Sequence, residues 1–130
     1  MREFATTISI TGVVTETPMR TGTQEPSYLI SFSLSSRPDY EWVERFKRAT
    51  SAGLPNRVHS VEFRESQLDA VVFVNANLQE VLDRLKELVA ATNAAHHREL
   101  ERQQREAAER EAEQQEQISR LSDQIRRLKF

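Results

Sequence analysis

Along the first third of the chain, apolar and polar residues alternate. Phe4, Ile8, Ile10 and Val14 hold even positions, and Thr7, Ser9, Thr11 and Thr15 hold odd ones. That period of two predicts a half-buried strand with one hydroxyl-rich face. Tyr28, Ile30, Phe32 and Leu34 repeat the scheme against Ser31, Ser33 and Ser35. Between the two strands, Pro18 to Ser27 contains two Pro and one Gly, which predicts a long connecting loop. Its Met19-Arg20-Thr21-Gly22 segment is a candidate contact point, because loops held by a rigid sheet often carry recognition.

The period then changes. Ser36-Arg37-Pro38-Asp39 reads as a helix start, and Trp42, Val43, Phe46 and Ala49 recur at helical spacing until Gly53 and Pro55. A third strand begins near Val58, with His59, Val61 and Phe63 on one face, where His59 is expected as a core or rim histidine. A turn at Arg64-Glu65-Ser66-Gln67 leads into Leu68 to Ala76. There Ala70, Val72 and Val74 alternate with Val71 and Phe73, and a strand apolar on both sides belongs inside its sheet. Asn77 followed by Glu80 makes an N-cap with a capping-box acid. Leu78, Val81, Leu82, Leu85, Leu88 and Val89 then form a broad apolar stripe. The expectation is an α+β head over residues 1–95, a mostly antiparallel four-stranded sheet with two helices in the order ββαββα.

The last helix has no stop signal. From Asn77 to Phe130 there is no Gly and no Pro, so one helix on the order of 80 Å long is expected, with Thr92-Asn93 its weakest point. Residues 96–130 form an extended charged tail, with eight Lys+Arg, eight Asp+Glu and few apolar side chains. Glu101–Arg105, Glu106–Arg110, Glu116–Arg120 and Asp123–Arg127 each place an acid four residues before a base, which supports an exposed helix. Ile118, Leu121, Ile125 and Leu128 are spaced three, four, three, the a-d-a-d seam of a coiled coil, and Leu100 and Ala107 continue it backwards. Ile at a with Leu at d favours a parallel dimer. Leu100, Ile118, Leu121, Ile125 and Leu128 are therefore the candidate oligomer or partner interface, whether the tail pairs with itself or docks into another protein's groove.

Composition narrows the chemistry. The net charge is −2 and cysteine is absent, which excludes disulfides, thiol nucleophiles and Cys-type zinc sites. No apolar run reaches membrane-span length, and Met1-Arg2-Glu3-Phe4-Ala5-Thr6 does not begin like a signal peptide; a cytoplasmic protein is expected. Three scattered Gly form no phosphate loop. His96-His97 with Glu101 comes nearest to a metal set, but adjacent helical side chains diverge by about 100°, so the pair is read as solvated surface and no metal or cofactor is expected. Arg37, Arg45, Lys47, Arg48, Arg57 and Arg64 lie near Tyr40 and Trp42, which makes residues 37–64 a candidate nucleic-acid surface. Asp39, Glu41, Glu44 and Glu62 counter that charge. The sequence therefore points first to a non-enzymatic oligomeric adaptor or accessory subunit. Its head would bind a protein partner, and nucleic-acid binding is the alternative.

Overall fold

The computed structural model describes residues 7–21, 26–51 and 53–130. Phe4 and Gly22, assigned above to the first strand and its loop, lie outside them. The elements are strands β1 (Ile10–Val13), β2 (Met19–Thr21) and β3 (Ser27–Leu34), helix α1 (Tyr40–Ala49), strands β4 (Val58–Arg64) and β5 (Gln67–Phe73), and helix α2 (Leu78–Arg127). The chain divides into two compact units, residues 1–96 and 97–130.

The first unit is α+β with a wholly antiparallel sheet of five strands, one more than the pattern predicts. The extra strand is β2, which sits inside the expected Pro18–Ser27 loop. β1 and β2 pair in turn with the two ends of β3 and form one interrupted edge. At the interruption, Thr15 Oγ1 accepts from Ser31 N at 2.7 Å, so a hydroxyl replaces the carbonyl that a regular neighbour would supply. Alternation cannot reveal a strand of three residues that starts directly after Pro18.

The path β1–β3–β5–β4 places β5 inside the sheet, as its two-sided apolar pattern predicts. β3 and β4 are both antiparallel to β5 and hence parallel to each other. The α1 crossover between them is thus split by the insertion of β5.

One face of the sheet carries the core. Ile30, Phe32, Leu34, Leu68, Ala70 and Val72 are buried there with Trp42 and Phe46 of α1 and Val81, Leu85, Leu88 and Val89 of α2. Trp42 stacks on Phe46 at 5.8 Å, and both rings meet Phe63 edge-on at 5.5 and 4.9 Å, a geometry suited to the ring quadrupoles. Both helices start at side-chain caps, the second at the Asn77 that the sequence marks and the first at Asp39, the last residue of the expected helix start. Asp39 Oδ1 accepts from Trp42 N at 2.8 Å, and Asn77 Oδ1 accepts from Gln79 N and Glu80 N at 3.1 and 3.2 Å.

Two bulges move residues off their expected faces. The register slips between Val58 and Ser60, so His59 is the extra residue and lies exposed rather than among the core side chains. A second slip between Ile10 and Gly12 reverses parity, pairs Val13 with Phe32, and leaves Val14 exposed.

Leu85 is fully buried between sheet and helix (0% exposed). Leu85→Ala should lower unfolding free energy by about 2–5 kcal/mol, read by urea denaturation as a lower midpoint with an unchanged slope.

Candidate functional site

Two buried polar side chains, Thr92 and His96, lie with the half-buried Asn93 on neighbouring turns of α2. Asn93 Oδ1 accepts from Ile8 N and from Trp42 Nε1, both at 2.9 Å, and Asn93 Nδ2 donates to Ile8 O at 2.8 Å. One carboxamide therefore serves both backbone groups of Ile8 and the indole of α1. Thr92, read above as a weak point, is buried and donates its hydroxyl to Leu88 O at 2.7 Å, while the helix continues through it.

One turn on, His96 is 1% exposed. Its Nδ1 accepts from Arg45 Nε at 3.1 Å, and its Nε2 lies 3.7 Å from Asp39 Oδ2. The sequence reading of His96 as solvated surface is thus corrected. The apolar stripe of α2 continues past Val89 to Thr92 and His96, at i+3 and i+7, and that spacing was the available signal. Accepting at Nδ1 leaves the ring proton on Nε2, towards Asp39. An imidazole so enclosed ties α1 to α2 and turns neither nitrogen to solvent. Among the described residues, no three His, Cys, Asp or Glu side chains are placed to hold a metal ion, and no helix is long and apolar enough to cross a membrane.

The six basic candidates do not form one surface. Arg45 is engaged with His96, and Lys47 lies 4.0 Å from Glu44. Arg64 bonds Gln67 Oε1 at 2.9 Å and lies 3.4 Å from Asp69. Arg64 shares a face with Gln67 and Asp69, opposite the helices, whereas Arg45, Lys47 and Arg48 belong to α1 on the core side. Arg37, Arg48 and Arg57 are exposed, and Arg57 adopts a left-handed backbone (φ 65°) next to β4.

Among the described residues, two surfaces have no element packed over them. The first is the face of the sheet opposite the helices. Its Ser/Thr character holds at one end, where Ser31 Oγ donates to Asp69 Oδ1 at 2.7 Å. At the other end, Met19, Leu29 and Val71 are register neighbours across three strands. Phe73 lies on the same face and meets His59 edge-on at 5.8 Å. On the helix side of the sheet, behind that row, an apolar cavity of about 320 Å³ is lined by Pro18, Tyr28, Ile30, Val72, Val74 and Leu78, among others. The sequence reading missed this row because it considered the odd positions of the first two strands only, where hydroxyls dominate.

The second surface is on residues 97–130. Ile118, Leu121, Ile125 and Leu128 are 55–65% exposed, while Leu100 is half-buried. α2 ends at Arg127, so Leu128 stands just past the last helical residue. Its amide still donates to Ile125 O at 3.2 Å, which continues the turn. Of the four expected acid–base pairs, Glu116–Arg120 forms, at 2.6 Å. Glu106 instead bonds Arg102, which also holds Glu99, and the two carboxylates raise the pKa of the Arg102 guanidinium, Glu99 most strongly. Asp123 pairs with Arg126 at 3.6 Å.

Compared with protein-family models, curated proteins and solved structures, the chain finds no match.

Asn93→Leu keeps the size but strands the Ile8 amide and the Trp42 indole. Each buried group left unpaired costs about 1–3 kcal/mol, so a loss of about 2–4 kcal/mol is expected. Faster hydrogen exchange at the Ile8 amide and Trp42 indole, relative to the core of β5, would locate it.

Proposed function

We propose that this chain is a non-enzymatic adaptor or accessory subunit that works as an oligomer. Its C-terminal helix self-associates, and its head holds a protein partner. The carrying observation is the exposure of four large aliphatic side chains at heptad spacing, Ile118, Leu121, Ile125 and Leu128, on a helix whose other positions from 101 to 127 are charged or polar apart from Ala107, Ala108 and Ala112. Covering each is worth roughly 1.5–3 kcal/mol before the cost of association. Two clean heptads make a weak dimer by themselves. Weak pairing still suits a device that multiplies a second binding site, because linked sites gain avidity without new contacts.

For the head, the reading rests on the Met19–Leu29–Val71 row with Phe73 beside it, flanked by the Ser31–Asp69–Arg64 polar strip. An apolar patch with a hydrogen-bonding border is the usual make-up of a protein-binding surface. The enclosure of His96 between Arg45 and Asp39 supports a structural use of the Asp39–His96 pair.

Light scattering coupled to size exclusion on the full chain should report a dimer or higher oligomer. Leu121→Asp with Ile125→Asp should return it to a monomer while the circular dichroism of the head is retained. An unchanged mass in the double variant would sink the proposal.

A further inference from the structure

Resting on the self-association reading, we infer that the tail's partner is a second copy of this chain lying parallel and in register, with Glu111 of each helix facing Arg110 of the other. With Ile118 and Ile125 at a and Leu121 and Leu128 at d, Glu111 falls at a, Arg110 at g and Ala107 at d. The ion pairs of the helix report the same frame independently. Glu99 and Glu106 around Arg102 occupy c, c and f; Glu116–Arg120 occupies f and c; Asp123–Arg126 occupies f and b. These networks therefore bind the face away from a and d and leave the seam side without intrahelical ion pairs. Beside the Ile/Leu layers the flanking positions are Gln117, Ser122, Gln124 and Lys129, and in a parallel pair Lys129 faces the partner's Gln124, so no like charges meet there.

Direction follows from the charged layer. In a parallel pair, a side chain at a rests against the partner's a residue and the g residue just before it. In register, each Glu111 then meets the other Glu111 and also the partner's Arg110. Two opposite-charge contacts offset one like-charge contact, and a polar a layer fixes register at some cost in stability. Antiparallel matching of the same apolar layers sets Ile118 opposite Leu128 and carries Glu111 away from the partner's Arg110. Neither residue has an ion-pair partner within the helix, because Glu106 is taken by Arg102.

The absence of cysteine makes the test clean. Full-length Ala107→Cys and Ala112→Cys, the latter at the outward b position, would be oxidised mildly at a concentration where light scattering reads a dimer. Ala107→Cys should become a covalent dimer and Ala112→Cys should stay unlinked. Adding Leu121→Asp and Ile125→Asp to Ala107→Cys should abolish the link. A dimer in which Ala107→Cys links no better than Ala112→Cys overturns the parallel register but not self-association; a monomer overturns both. Arg110→Glu should weaken self-association about fivefold, the effect of roughly one interfacial charge contact, and adding Glu111→Arg should restore it. An unchanged dissociation constant for Arg110→Glu removes the ion pair from the proposal.

Discussion

The head depends on one carboxamide. Ile8 lies just before β1, and its N–H and C=O both turn to α2, whose own backbone groups are paired along the helix. Asn93 presents an N–H and a C=O in the relative placement of a peptide group and so behaves as one residue of a missing strand. Its oxygen also receives the Trp42 indole, so strand edge, crossover helix and long helix meet at a single side chain. A neutral amide suits this junction because it both donates and accepts, and its burial carries no charge penalty. The Asp39–His96–Arg45 cluster one turn further on repeats the theme with ionisable groups. Asp39 caps α1 with one oxygen and turns the other towards the imidazole.

The two halves of α2 obey different physics. Up to His96, side chains at helical spacing are held by the sheet, and the core fixes where the helix lies. From residue 101 onwards nearly every residue is exposed, and local terms alone maintain the helix: propensity, spaced ion pairs, and bases near the C-terminal dipole. Such a segment gains nothing from four exposed Ile and Leu side chains unless something covers them. That asymmetry is the reason to seek function in assembly.

Sequence alone carried most element types, the Asn77 cap of α2, the interior place of β5 and the unbroken final helix, since each rests on a local pattern or on composition. The misses have different causes. His59 and Val14 sit on faces opposite to their parity because single-residue bulges invert alternation, and a bulge leaves no mark in a short apolar run. β2 went unseen because three residues beside a proline carry too little periodicity. His96 was read by residue type, although its spacing from Val89 and Thr92 placed it on the buried stripe. Of the candidate sites, the tail seam was legible because heptad spacing is visible in one dimension. The Met19–Leu29–Val71 row was not, because its members are neighbours only across strands.

The placement of β5 between β3 and β4 also orders the assembly of the head in time. β4 and β5 are joined by the short turn at Glu65-Ser66, and β2 lies close in sequence to β3, so each pairing closes over a few residues and is fast. The β3–β5 seam that unites them joins Ser33 to Gln67 and Ser27 to Phe73, separations of 34 and 46 residues with α1 inside the loop. Among the strand pairings that closure spans the longest loop and carries the largest entropic toll, so it is expected to come late. Until it is made, the inner edges of β3 and β5 both stand open. While they do, a chain tethered to a sister copy keeps a matching pair of edges within reach. On the proposed self-association, a tail that raises the local concentration of finished heads would raise that of unfinished ones too, and rapid closure of this seam would then separate assembly from strand exchange.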